Sequence, residues 1–448
     1  MTDLAHSRLT TLWTSPGPRV SPTTPTPRST GFDRVARMVF WPLSLMLIIH
    51  RILVLSVNGS VTDDFSTVYF ALRRFHDGVP IYNEVYHHVD PHYLYSPGAT
   101  LALSPLGLLT DFDSARMWFI CLNAAAIVAG LGVLTRMFGY ALSSAVYPGA
   151  VFFAFLTEAV RNTLVFSNIN GVLLLAFAGY LYCLLHERRW AAGLLIGLAI
   201  LIKPIFAPLL FLPLVKLNWR TVGTGVLVPV IMNVVAWPIV PGAGDYVTRT
   251  MPYLGEVRDY ANSSLPGIAT YYGMPWWQEK FWFFFFAAVV AVGVVVLLRW
   301  RYTDPLLWVS TTSGLLLAGV FLLSSLGQMY YSMLLFPLLF TVLLRRSAMH
   351  SPVAWIAVYC FLSADVWFSD EWLDLGRAMH YLKPTVGWAL IVLTITVAAV
   401  VWWWQERDGR AATASEPPTV PAHPIRTPGV PHPDRNRKDD DDRLQTDQ

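Results

Sequence analysis

Apolar residues in this chain gather into long, nearly unbroken runs, with neither the alternation of a half-buried strand nor the polar face of a surface helix. A helix needs roughly 17 to 25 residues to cross a bilayer. Runs of about that length lie near 38–57, 115–135, 141–158, 168–185, 221–240, 277–298, 305–325, 329–344, 352–368 and 385–404. Two other stretches are ambiguous. Pro97 to Thr110 is short for a crossing, and Trp190 to Val215 reads either as one kinked helix or as two half-spans meeting at Lys203-Pro204, because proline breaks the helical ladder. The pattern predicts an all-α polytopic membrane protein with about 10 to 12 transmembrane helices by the same length rule.

Both ends of the chain differ in kind. Met1 to about Asp33 is polar and rich in Ser, Pro and Thr, and the chain after Trp404 turns Pro-rich and ends in a charge block. Such compositions bury too little apolar area to order themselves. The expected organisation is a disordered tail over 1–35, a transmembrane domain over 36–404 and a second disordered tail over 405–448. Five arginines, Arg8, Arg19, Arg28, Arg34 and Arg37, precede the first run and hold the N-terminus in the cytoplasm by the positive-inside rule. Basic residues at Arg188-Arg189, Lys216, Arg220, Arg299, Arg301, Arg345-Arg346, Arg407 and Arg410 mark further cytoplasmic ends. The loops 58–96, 241–276 and 369–384 then lie outside. Arg136 and the 97–110 segment cannot both obey the rule if every apolar run is a full crossing.

Composition narrows the function. The chain is 54% hydrophobic and 14% charged, with 32 Lys and Arg against 29 Asp and Glu, a net charge of +3. Nucleic-acid binding is excluded, since phosphate contacts need a clustered basic face. Cys121, Cys183 and Cys360 sit singly in apolar runs and support neither a disulfide framework nor a zinc site. No phosphate loop, HExxH or GxSxG pattern occurs, so no cofactor and no metal ligand set is read from the sequence.

Candidate chemistry concentrates in the first external loop. Asp63 and Asp64 stand just beyond the first anchor, ahead of an amphipathic stretch (Phe65, Val68, Tyr69, Leu72, Phe75) that suits a helix lying in the headgroup plane. A partly buried carboxylate there can act as general base for a hydroxyl nucleophile. One of the pair can equally cap the helix. Lys203 is the lone charge in a long apolar stretch and needs an anion, either a lipid phosphate or a carboxylate such as Glu158. Arg51, near the external end of the first anchor, reads as a snorkelling side chain. The loop 241–276 carries Arg249, Arg258 and Asn262 among aromatics, suited to phosphate and sugar. Asn168 and Asn170 at one helix start, and Gln328, Tyr330 and Tyr331 at another, add uncharged donors, or else caps.

These segments, TDDFSTVY, YNEVYHHVDPHYLYSPG, SNING, the lone KP, EVRDYANSS and QMYY before LLFP, resemble the integral-membrane GT-C glycosyltransferases of the actinobacterial envelope over roughly Arg34 to Arg407. Within that superfamily they look most like the arabinofuranosyltransferase C branch, whose sisters are mannosyltransferases. The resemblance implies a GT-C-type helical bundle in the plasma membrane, with its active site on the external face. The donor implied is decaprenyl-phospho-arabinose and the acceptor an arabinan chain of arabinogalactan or lipoarabinomannan, with α-1,3 linkage and inversion at the anomeric carbon. It places the family's acid on Asp64, with Asp63 as neighbour, and puts His92 of the YNEVYHHVDPHY segment among the substrate contacts. Other members carry a histidine before the late tyrosine pair, where this chain has Gln328, so that phosphate contact passes to Lys203 or a loop arginine. A mannose donor, and a transporter or flippase of a lipid-linked sugar, remain the alternatives; a transporter has no need of an external acid pair.

Overall fold

The computed structural model describes residues 31–59, 63–86, 91–364 and 370–415. All regular structure among them is helical. The main helices are α1 (Gly31–Ile49), α2 (Asp64–His76), α3 (Pro97–Leu103), α4 (Phe112–Met137), α5 (Val146–Leu156), α6 (Glu158–Val165) and α7 (Asn170–Leu185). They continue with α8 (Arg189–Ile202), α9 (Trp219–Ala236), α10 (Leu265–Tyr271), α11 (Trp276–Leu297), α12 (Pro305–Leu323), α13 (Pro352–Leu362) and α14 (Leu373–Ser415). The chain divides into two compact units, Met1–Trp403 and Trp404–Gln448. Residues 1–30 and 416–448, most of the two expected tails, lie outside the described residues.

Six described stretches are long and apolar enough to cross a membrane: Gly31–Ser56, Phe112–Met137, Trp219–Ala236, Trp276–Trp300, Pro305–Leu323 and Leu373–Arg407. The protein is a polytopic helical membrane protein. Several other apolar runs are broken in the backbone although continuous in hydropathy, so length alone does not reach the expected count. Thr157 is extended and caps α6, interrupting the run after α5. Lys203 is likewise extended, and the chain goes on from it as the 3-10 segment Pro204–Leu210. Thr221 Oγ1 donates to Arg189 O at 2.9 Å, so α9 starts beside the start of α8. The segment 204–214 therefore brings the chain back, and Lys203 is the tip of a hairpin. Close approach along α8 and α9 rests on Gly193 and Gly197, where a Cβ would meet Thr224 and Val228.

The 97–110 segment forms only the short helix α3 and a 3-10 turn, Ser104–Leu108. It folds back on α2, with Tyr69 Oη donating to Leu109 O at 2.8 Å and Arg73 Nη1 to Gly107 O at 3.2 Å. Phe112, at the start of α4, stacks on Phe65. With about 1.5 Å of rise per residue, Arg136 in the last turn of α4 lies at the opposite end of the bundle from Asp64.

The amphipathic helix forms as α2, but its apolar face is covered by protein rather than lipid. Phe65, Val68, Tyr69 and Leu72 are buried, and the Phe65 ring stacks on Phe119 at 4.5 Å. Phe70, 51% exposed, lies at the edge of that face and stacks on Phe112 at 5.5 Å. The cause is α4 and the turn after α3, which present Phe112, Phe119 and Gly107 to that face.

A second close approach fixes the crossing of α4 and α7: a Cβ on Gly171 would lie 2.5 Å from Asn123 O. Backbone cannot yield cheaply there, so Gly171→Ala should destabilise the protein by about 1 to 3 kcal/mol, measured as a lower thermal unfolding temperature in detergent.

Candidate active site

The adjacent carboxylates have different surroundings. Asp63 is the N-cap of α2, where Oδ1 accepts from Ser66 N at 2.9 Å. Its Oδ2 accepts from Arg116 Nε at 2.6 Å, in an ion pair with both side chains nearly buried. Arg116 also donates to Ser56 O and Val165 O, at 2.8 and 3.2 Å, and so ties α2 to the end of the first helix and the end of α6. Asp63 is fully engaged in holding the fold.

Asp64, one residue on, points into a polar network. Its Oδ2 accepts from Asn168 Nδ2 at 2.5 Å and from Tyr330 Oη at 3.3 Å. Its Oδ1 accepts no hydrogen bond among the described residues. Asp64 N donates to Phe166 O at 2.8 Å, which seats the residue on the turn between α6 and α7. Burial holds the Asp64 carboxyl above the usual carboxylate range, outweighing the downward pull of the Asn168 hydrogen bond and of Lys203.

Lys203 completes the network from behind. Its Nζ donates to Asn168 Oδ1 at 3.0 Å and to Asn170 Oδ1 at 2.8 Å, and stands 4.8 Å from the centre of the Tyr331 ring. Asn168 thus links ammonium and carboxylate through the two ends of one amide. Asn168 Oδ1 also accepts from Asn170 N at 3.1 Å, while the N-cap position of α7 falls on Ile169. Glu158, the carboxylate considered for Lys203, instead pairs with Arg161. The Asn170 Nδ2 group is buried with no partner. The single proton of Tyr330 Oη is shared between Asp64 Oδ2 and Gln328 Oε1, which brings Gln328 into the network. Arg51 donates to Phe155 O at 3.1 Å instead of reaching for the headgroups.

The network thus gathers Asp64, Asn168, Asn170, Lys203, Gln328, Tyr330 and Tyr331 from four separate parts of the chain. Arg258 lies at its edge, over the Tyr253 ring at 5.0 Å and in electrostatic reach of Tyr331. His92 bonds Glu84 Oε2 at 3.3 Å and packs edge-on against Tyr86 and Tyr253. Two expected contacts fall elsewhere. Arg249 is half exposed and faces Asp245 at 3.8 Å, one turn away. Asn262 is buried as a clamp: Nδ2 donates to Arg258 O and Ser325 O, while Oδ1 accepts from Ser264 N and Gly327 N. An amide with both donors and both acceptor sites filled has nothing left for a sugar. Arg116 was missed by the sequence reading, although an arginine inside an apolar run is a signal in itself.

A carboxylate with one open oxygen, linked to a buried cation on a polytopic helical scaffold, suits proton removal beside a developing negative charge within a membrane protein. Comparison with known proteins gives the class its name. Residues 93–325 match glycosyltransferase family 87. The chain is 56% identical over 399 residues, 89% of its length and 96% of the relative's, to the alpha-(1->3)-arabinofuranosyltransferase of Corynebacterium glutamicum. Identity is 42% over 388 residues to the protein of the same description in Mycobacterium tuberculosis, covering 86% of this chain and 89% of the relative. It is 43% over 390 residues to that of Mycolicibacterium smegmatis, covering 86% and 90%. The chain belongs to glycosyltransferase family 87, and the resemblance to arabinofuranosyltransferases read from its loop segments stands.

The contrast between the two carboxylates is measurable. Asp63→Asn leaves the Arg116 guanidinium buried without its counter-charge and should lower stability by about 3 to 5 kcal/mol. Asp64→Asn should leave the unfolding temperature close to that of the unmodified protein. Thermal unfolding of both purified variants, side by side, checks the pair.

Proposed function

We propose that this glycosyltransferase moves arabinofuranose from decaprenyl-phospho-arabinose to a hydroxyl of an arabinan acceptor, forming an α-1,3 branch with inversion. The observation that carries the chemistry is Asp64, whose Oδ1 is open while Oδ2 is held by Asn168 and Tyr330. The acceptor hydroxyl gives its proton to that oxygen as its own oxygen bonds to the anomeric carbon. The bond from that carbon to the phosphate oxygen breaks on the opposite face, and the phosphate leaves with the electron pair.

The leaving phosphate needs positive charge in a place free of water. Lys203 has no carboxylate in ion-pair contact among the described residues, and the neighbouring Asn170 amide has an unused donor. Arg258 supplies a second cation at the edge. The sugar and linkage rest on the three relatives, each described as an alpha-(1->3)-arabinofuranosyltransferase.

The shorter apolar helices, taken with the six long stretches, support a reading of about 12 crossings in which the Lys203 hairpin supplies two. Arg136, Arg188-Arg189, Lys216, Arg299 and Arg345-Arg346 then gather at one end, which the positive-inside rule makes cytoplasmic. Asp64 faces outward, where lipid-linked sugars and not nucleotide sugars are the donors to be met. The α2 helix lies at that outer surface.

Purified protein supplied with decaprenyl-phospho-arabinose and a short arabinan should give an α-1,3-linked product. Asp64→Asn should reduce the transfer rate by roughly 10²- to 10⁴-fold, the usual weight of a general base. The base form of a carboxyl with a raised pKa is present above that pKa and lost below it, so kcat/KM should fall on acidification at a pH above the ordinary carboxylate range. Product with another linkage, or full activity in Asp64→Asn, overturns the reading. Orientation is checked by cysteine labelling in a background without the three native cysteines. Tyr260→Cys, at a position 44% exposed in the loop 241–276, should react with a membrane-impermeant thiol reagent on intact cells. Glu187→Cys, in the turn between α7 and α8, should react only after permeabilisation.

A further inference from the structure

Four described residues other than glycine have a positive φ: Ser167, Glu187, Leu217 and Ala261. Three of them sit in exposed turns. Ser167 is the exception. It is 2% exposed, has φ +49°, and its Oγ is buried with no hydrogen-bond partner. Serine is a poor choice for that site on packing grounds, since alanine would fit the same space without an orphaned hydroxyl.

Ser167 is one of the residues that line a small cavity. The space beside it is about 10 Å³, near the lower limit for a single water, and is walled by Asp64, Tyr95, Phe65, Leu103 and Phe119 among others. Apart from Asp64, Tyr95 and Ser167 the wall is hydrophobic. Ser167 is held in place by its neighbours: its own N donates to Leu164 O, Phe166 O receives Asp64 N, and the Asn168 side chain reaches Asp64 Oδ2. The turn that carries the hydroxyl is therefore the turn that seats the carboxylate.

We propose that Ser167 and Asp64 form a subsite for one secondary hydroxyl of the acceptor sugar, with Ser167 Oγ donating to the oxygen whose proton Asp64 removes. The inference rests on the transfer reaction proposed above and deepens it. The attacking oxygen has two lone pairs. One forms the new bond to the anomeric carbon and the other accepts from Ser167, while the proton goes to Asp64. A slot of this size takes a hydroxyl and not a ring, so the sugar stays outside and offers one group. The apolar wall rejects a second polar group beside it, because a buried hydroxyl without a partner is costly. Ser167 is thus a positioning residue that decides which hydroxyl is glycosylated.

The test uses the full-length protein, a synthetic arabinofuranose disaccharide with an octyl aglycone, and its analogue lacking the accepting hydroxyl. Titration calorimetry gives acceptor affinity without turnover, and product analysis gives rate and linkage. Ser167→Ala should weaken binding of the disaccharide and lower kcat/KM for it by about tenfold, the effect of one hydrogen bond to a buried group. Affinity for the deoxy analogue and the pH at which activity falls should not change. The variant should unfold at the same temperature as the unmodified protein or higher, since it loses an unsatisfied hydroxyl. Ser167→Gly, which relieves the backbone, should show the same acceptor defect if the alanine variant folds poorly. Equal affinity of the unmodified protein and both variants for the disaccharide overturns the subsite. An unmodified protein that binds the disaccharide and discriminates the deoxy analogue, yet transfers no arabinose, retains the subsite and overturns the proposed donor.

Discussion

The structure around the site depends on a buried ammonium that has no direct ionic partner among the described residues. An amine in an apolar environment must be hydrogen-bonded or displaced. Lys203 meets this demand with the carbonyl oxygens of Asn168 and Asn170. That choice fixes the start of α7 against the tip of the hairpin and turns the Asn168 amide so that its NH2 end faces Asp64. The ammonium and the Asn170 N–H together hold the Asn168 carbonyl oxygen, which leaves its NH2 end for Asp64. The carboxylate is therefore coupled to a charge at the hairpin tip through one intervening side chain, while Phe166 O holds its backbone.

The same balance explains how two neighbouring aspartates come to differ. Along a helix start, successive side chains point in different directions, so Asp63 turns back to cap α2 and Asp64 turns forward. Arg116 reaches the first from α4, and with its bonds to Ser56 O and Val165 O it closes three chain segments around one guanidinium. A fixed cap is what allows the next residue to keep an oxygen open without loosening the helix. Structural and chemical duties are separated by one peptide unit.

The polytopic helical class could be read from hydrophobic runs, because lipid demands helices with internally satisfied backbones. So could the residues of the network: Asp64, Lys203, Asn168 and Tyr330 are polar groups where polarity is expensive. What hydropathy does not show is the backbone direction within an apolar run, so the proline marked a break at Lys203-Pro204, but the choice between a kink and two half-spans, and the return of 97–110 onto α2, needed coordinates. Asn262 and Arg249 sit apart from the network for a different reason. Residue type tells what a side chain is able to bond, whereas its partners, here Ser325 O and Gly327 N for one and Asp245 for the other, depend on distant chain. Ser167 gave no signal at all, since a serine in a helix–helix turn is commonplace until its φ and its missing partner are known.

The Asn262 clamp has a mechanical meaning. By binding Ser325 O and Gly327 N near the middle of the loop 241–276, it divides one long excursion into two short ones, each fastened at both ends. Thr385 Oγ1 adds a bond to Ser263 O at 2.6 Å, so the last helix shares the anchorage. The freedom of a chain segment is governed by the distance to its nearest fixed point and not by the length of the loop that contains it. Arg258 is only four residues from that point, with its own carbonyl held by the Asn262 amide. A guanidinium that seems to hang on a long surface loop is on a short leash, and its sweep over the site is limited to what its side chain alone can cover.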